Sequence, residues 1–191
     1  GLGYIGTELC KLYSGVSWHH NILVIDNRFI SERVSQIRNW NMDFLQGDIL
    51  DKDMVNKNFK DADVVHHLAG ITDVPRTQSE SVKSHDEKIM RVAKEGTQNI
   101  LDAINQNCKI IFPSTHVVFE GIDKVKTDIQ EDEITKPVLS YSISKAKNEE
   151  QLKASKKNYI ILRLGSVYGY SSDTMRIDIM PNLFSKISSQ N

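Results

Sequence analysis

Cysteine is scarce in this sequence: among 191 residues there are two, Cys10 and Cys108, far apart and without CxxC or Cys/His spacing. That excludes a disulfide framework and a structural zinc site, fits a reducing compartment, and leaves both to be read as small buried apolar residues. Long apolar runs are lacking too. No stretch approaches the roughly 20 residues that cross a bilayer, and no signal peptide opens the chain, so the sequence points to the cytoplasm and to no membrane partner. Nor is there an excess of charge. Twenty-four Lys and Arg against 25 Asp and Glu give a net charge of −1, which offers nucleic acid no electrostatic footprint and turns attention to small molecules. Also missing are an initiator Met and any strand ahead of the glycine-rich turn at Gly1. With 39% hydrophobic residues, a chain of this length buries a substantial core.

Short β-branched apolar runs alternate with longer amphipathic stretches, the pattern of βαβ units and a parallel sheet. The runs predict strands over 21–26, 43–46, 63–68, 109–114 and 159–164, and helices over 5–13, 30–38, 52–59, 86–106, 140–155 and 179–188. On the longest helix, Ile89, Val92, Ala93, Gly96, Ile100 and Ile104 form one stripe to lie on the sheet. In a doubly wound sheet of order 3-2-1-4-5-6 the first strand is central. That strand would precede Gly1, so the expectation is an α/β Rossmann-type fold truncated before its first strand and within its C-terminal substrate region. Residues 1–165 read as the dinucleotide-binding domain and 166–191 as the start of the substrate-binding region. Unpaired edges beside the absent strand would leave the stretch alone short of a stable, active enzyme.

Gly1-Leu2-Gly3-Tyr4-Ile5-Gly6 fits GxGxxG at the mouth of a helix, where a tight turn and free N–H groups suit a pyrophosphate. Alone, it reads equally well as an ordinary glycine-rich turn. The next predicted strand ends in Val24-Ile25-Asp26, placing a carboxylate about 20 residues on, where it can accept from the adenosine ribose hydroxyls. That favours NAD, whose cofactor site would comprise Gly1, Gly3, Tyr4, Ile5, Gly6 and Asp26. Arg28 keeps NADP as an alternative. Asp48, followed by Ile49, suits the adenine amino group or, equally, a turn. Leu68, Ala69 and Gly70 end the fourth strand with small residues that admit the cofactor. The adjacent His66 and His67 point to opposite faces and cannot share an ion, so no metal is expected.

Tyr141 and Lys145 lie four apart, on one helical face. A neighbouring cation stabilises a phenolate and lowers its pKa from about 10 toward the useful range, although a YxxxK also arises by chance. Ser114 and Thr115 follow the strand over 109–112 and would put hydroxyls at the same sheet edge, where one can hydrogen-bond a substrate oxygen. Taken alone, they read as a strand-end turn.

Together these motifs resemble the extended short-chain dehydrogenase/reductases, the NAD-dependent epimerase/dehydratase family of nucleotide-sugar enzymes. The resemblance runs in order through GLGYIG, VID, GDI, HHLAG, EGTQNIL, PSTHVVFEG, YSISK and LRLGSVYG. Gly3 and Gly6 match the last two glycines of the family's TGxxGxxG. It implies NAD at the strand ends and a catalytic trio of Thr115, Tyr141 and Lys145. Tyr141 would be the base for a sugar hydroxyl, Lys145 would bind the nicotinamide ribose, and Ser114 would sit beside the cofactor. It also implies substrate contacts from Thr115, Ser166, Asn182 and Leu183, a nucleotide-sugar or related small-molecule substrate, and a homodimer.

Departures narrow the function. His116 and Val117 follow Thr115 where 4,6-dehydratases carry an acidic pair, which disfavours dehydration. Val92, Ala93 and Lys94 stand where many members have Asn, and Ser166 replaces an Asn before Val-Tyr-Gly. The expected function is epimerisation of a nucleotide-linked sugar through a transient keto intermediate. The alternative is an NAD-dependent dehydrogenase or reductase of a sugar or other alcohol. A non-catalytic dinucleotide sensor is a third class, disfavoured by the intact trio.

Overall fold

The structure, a computed structural model, describes residues 1–72, 77–171 and 176–190. Helices and parallel strands alternate as the apolar pattern predicts, and the chain divides into two compact units, Gly1–Asp48 with Ser166–Asn191, and Ile49–Gly165.

In the first unit β1 (Leu23–Asp26) pairs in parallel with β2 (Asp43–Gln46), Asp26 standing opposite Gln46. Helices α1 (Tyr4–Tyr13) and α2 (Ser31–Asn39) supply Cys10, Val34 and Ile37 to a core with Leu2, Val24 and Met42. The i, i+3 spacing of Val34 and Ile37 puts both on one face. Past α2 the chain reverses through Asn41 at φ 56°, a conformation Asn tolerates at a helix C-terminus. A further helix, α6 (Met180–Ser188), begins with Pro181 in its first turn, where a missing N–H is harmless.

In the second unit β3 (Val64–His66), β4 (Lys109–Thr115) and β5 (Asn158–Leu164) form a parallel sheet in that order, with Ser114 opposite Arg163 and Thr115 opposite Leu164. Helices α3 (Lys52–Phe59), α4 (Lys83–Ala103) and α5 (Ser140–Ala154) accompany it. Ile49, Val55, Val65, Ile100, Leu101, Ile104, Cys108, Ile110, Phe112 and Leu152 make one buried cluster, the main source of this unit's stability. Gly96 lies mid-helix at a cost of about 1 kcal/mol relative to Ala. The reason is packing: a Cβ there would stand 2.2 Å from Ile49 Cδ1 and 2.6 Å from its Cγ1.

Several element boundaries shift by one to three residues from the sequence expectation, and at β3, α4 and β4 a local cause is visible. β3 is shorter because the Leu68 N–H donates to the His66 carbonyl at 3.0 Å, a tight turn that takes the chain off the ladder. Helix α4 starts at Lys83 and stops at Ala103, because the Asn105 side chain accepts from the N–H groups of Asn107 at 2.8 Å and Cys108 at 3.0 Å and builds a turn of its own. β4 extends to Thr115, which remains paired to Leu164. Both cysteines are free and buried, and burial raises both thiol pKa values. Among the described residues no helix is long and apolar enough to cross a membrane.

Candidate active site

In the first unit the glycine turn runs straight into α1. A Cβ on Gly1 would meet Val24 Cγ1 at 2.3 Å, and one on Gly6 would meet the Gly1 carbonyl oxygen at 2.1 Å, whereas Gly3 faces open space. No side chain caps α1 and no acidic residue occupies its first turn. The first helical bond runs from the Thr7 N–H to the Gly3 carbonyl at 2.9 Å, so the N–H groups of Tyr4, Ile5 and Gly6 precede the ladder at the positive end of the helix. An anionic group fits there sterically and electrostatically.

The Asp26 carboxylate lies against this turn. Its Oδ2 accepts from Gly1 N at 3.0 Å and Leu2 N at 2.8 Å, and its Oδ1 from Arg28 N at 3.0 Å. Burial opposes its charge, and the N–H groups of Arg28 and Leu2 favour it. It remains a charged acceptor beside the glycines. Arg33 on α2 donates to the Leu2 carbonyl at 2.7 Å and braces the turn. Asp48 is half-buried and accepts from Asn27 Nδ2 at 3.4 Å.

Tyr4 faces the opposite end of the chain: its hydroxyl donates to the Gly169 carbonyl at 2.6 Å. Asn182 is buried, with Oδ1 accepting from Gly169 N at 2.9 Å and Nδ2 donating to the Arg176 carbonyl at 2.8 Å. Its amide is thus engaged with the protein, while Ser166 and Leu183 are exposed.

In the second unit the chemistry gathers at the end of β4. Thr115 is buried and its hydroxyl accepts from Val117 N at 3.3 Å, capping a short 3-10 turn over His116–Phe119. Tyr141 is half-buried in the first turn of α5, whose start is held by Glu120: one carboxylate oxygen accepts from Val138 N at 2.8 Å and Leu139 N at 2.7 Å, and also from the Ser142 hydroxyl. One turn on, Lys145 Nζ donates to the Pro113 carbonyl at 2.8 Å, lies 4.5 Å above the Phe112 ring and 5.8 Å from the Tyr141 ring centroid. Burial lowers the Lys145 pKa to about 8. Cation and phenol ring are therefore neighbours, and the cation is tied to the strand that ends in Thr115.

The other predicted positions lie in the core, after β3 and near the end of β4. Ile49 sits in the core with its carbonyl accepting from Asn99 Nδ2 at 2.9 Å. Leu68, Ala69 and Gly70 follow the tight turn after β3, Ala69 packed on the core and Gly70 open. Ser114 turns inward, its hydroxyl donating to Glu149 Oε1 at 2.6 Å.

Sequence reasoning missed the buried polar residues behind this edge. His67 is buried, its Nε2 2.9 Å from Thr97 Oγ1, which also accepts from Asn148 Nδ2 at 2.9 Å. Glu149 lies under Arg163. The available signal was the i, i+4, i+8 stripe of α5, Tyr141, Lys145 and Glu149, whose third member is charged and faces the sheet.

His67 carries a pH prediction. Desolvation, helped by the nearby Lys145 charge, lowers its pKa from 6.5 to about 3. Between those values the unfolded chain binds more protons than the folded one, so stability falls as pH drops through that window. We expect the thermal midpoint to fall from pH 7 to pH 5, and the fall to be smaller in His67→Gln. An equal fall in both proteins would remove His67 from the acid response.

The NAD-dependent epimerase/dehydratase family matches residues 1–190 of this chain. The chain belongs to that family. A similar curated protein is a UDP-N-acetyl-alpha-D-glucosaminuronate decarboxylase of Bacillus cytotoxicus, 30% identical over 62% of this chain and 36% of that protein. A dTDP-4-dehydrorhamnose reductase of Mycolicibacterium smegmatis is 31% identical over 69% of this chain and 40% of that protein. Among solved structures, UDP-glucuronic acid 4-epimerase of Bacillus cereus with NAD matches at a TM-score of 0.76 and 26% identity, over 98% of this chain and 60% of that one. UDP-glucose 4-epimerase of Brucella ovis with NAD matches at 0.71 and 28%, over 92% and 51%. Matches to the curated relatives thus span well under half of each relative's length.

Proposed function

We propose that this chain carries the cofactor-binding and proton-transfer residues of an NAD-dependent enzyme that epimerises a nucleotide-linked sugar. The supporting observation is the Lys145 ammonium beside the Tyr141 ring and bonded to the strand that ends in Thr115. The glycine turn with the N-terminus of α1 would hold the pyrophosphate, Asp26 the adenosine ribose, and Lys145 the nicotinamide ribose. Bound there, NAD supplies the two-electron acceptor and donor for the sugar carbon.

Tyr141 acts as the base. As the sugar C–OH becomes C=O, the hydroxyl proton passes to the phenolate oxygen, and the Thr115 hydroxyl hydrogen-bonds the forming carbonyl. The Lys145 charge favours the phenolate before transfer. On return, Tyr141 gives the proton back to the oxygen, and reduction at the opposite face of the keto sugar inverts the centre. Ser166, Asn182 and Leu183 are proposed to border the substrate, with the Asn182 amide bonded to the backbone of Gly169 and Arg176.

A second reading, a dehydrogenase or reductase, draws support from the similarity to the dTDP-4-dehydrorhamnose reductase. The two separate on products. Given NAD and a UDP-hexose, we expect the full-length protein to yield an isomeric sugar with no accumulation of NADH, and to bind NAD more tightly than NADP. Stoichiometric NADH would transfer the assignment to a dehydrogenase, and tighter NADP binding would remove Asp26 from ribose recognition.

A further inference from the structure

Glu149 is a carboxylate only 2% exposed that the proton transfer described above does not touch. It lies on α5 one turn beyond Lys145 and two beyond Tyr141, on the same stripe. Its Oε1 accepts from Ser114 Oγ at 2.6 Å and from Arg163 Nε at 3.0 Å. Its Oε2 accepts from Arg163 Nη2 at 2.7 Å and lies 3.6 Å from Lys153 Nζ. Arg163 stands opposite Ser114 in the β4–β5 ladder, donates from Nη1 to the Glu131 carbonyl at 3.0 Å, and lies 5.0 Å from the Phe119 ring centroid. One helical side chain therefore grips both strands at a single rung.

That rung has a particular place. Pro113, Ser114 and Thr115 are consecutive: the first accepts from Lys145, the second donates to Glu149, and the third carries the hydroxyl at the strand end. A buried ion pair adds little net stability, because desolvation cancels much of the attraction. Its directional bonds instead fix geometry, and displacement of a reacting group by about 1 Å can cost 10²-fold in rate.

We propose that Glu149 is a positioning residue, which by clamping Ser114 and Arg163 sets α5 against the ends of β4 and β5 and so holds Lys145 and Tyr141 in register with Thr115. The proposal rests on the roles given above to Tyr141 and Lys145. It carries a sign that separates it from simple electrostatics. Removing a nearby negative charge would by itself favour the phenolate and lower the Tyr141 pKa. Letting Lys145 drift from the phenol raises it.

The test is the titration of Tyr141 in the full chain, followed by NMR of [13Cζ]tyrosine, with Tyr141→Phe identifying its resonance among six tyrosines. In Glu149→Gln, which keeps size and an acceptor for Ser114, the midpoint should rise, with phenolate about tenfold scarcer at a given pH below it. Ser114→Ala should move it the same way by less, and the double variant by no more than Glu149→Gln alone, because both cut one path. Circular dichroism and thermal melting confirm that each variant is folded, and should Glu149→Gln fail to fold, Ser114→Ala decides alone. An unchanged or lowered midpoint in a folded variant overturns the positioning role. If the unsubstituted chain already titrates at the ordinary value of about 10, the Tyr141–Lys145 pairing itself fails, a result visible before any substitution.

Discussion

In the full-length protein, replacing Tyr141 by Phe is expected to leave NAD affinity near that of the unsubstituted form while turnover of a nucleotide sugar falls by about 10² or more. The substitution removes one oxygen and keeps the ring, so the packing of α5 and the approach of Lys145 to the ring at 5.8 Å are retained. What is lost is the proton acceptor proposed above. Without it the hydroxyl must lose its proton to water, at the penalty usual for a missing general base. The loss should fall on kcat rather than KM, since the phenol acts in the transition state more than in binding. Isothermal titration with NAD and steady-state kinetics measure the two arms. Near-normal turnover in the folded variant would take Tyr141 out of the mechanism, and loss of NAD binding would move its role from chemistry to cofactor affinity.

The second large effect is expected at Phe112, on stability. The ring is 1% exposed at the centre of the second unit's core, tilted against His67 at a centroid distance of 5.4 Å, with the Lys145 ammonium 4.5 Å from its face. Truncation to Ala removes a buried aromatic and leaves a cavity, a loss of about 3–5 kcal/mol. Against a domain stability of about 5–15 kcal/mol, that shifts the urea midpoint far down or abolishes the cooperative transition. Phe112→Leu keeps most of the volume and should cost less, yet it takes the ring face from under Lys145, an attraction of about 0.5–2 kcal/mol. A loss under about 1 kcal/mol in Phe112→Ala would show that the core does not depend on this side chain.

Much of the strand and helix order was legible from short apolar runs such as that in Lys109–Thr115 and from helical stripes such as the Ile89, Gly96, Ile100 face of α4. Lys52–Phe59 and Asp43–Gln46 are bounded as the pattern predicts. Ends set by single hydrogen bonds were not legible, as at Leu68 and Asn105. The family was legible from ordered short motifs, and Tyr141 and Lys145 from their spacing.

By itself, then, the sequence determined the fold class and the family, because periodicity and spacing are local properties that a linear pattern carries. Only the tertiary structure decided where the buried polar groups go. Ser114 and Thr115 look interchangeable in sequence, yet alternation along β4 sends one hydroxyl to Glu149 and leaves the other to cap the turn after the strand. Likewise Lys145 finds the Pro113 carbonyl and His67 finds Thr97 across 32 and 30 residues of chain. Such partners are chosen by which elements pack together and at what height, information that no local spacing contains.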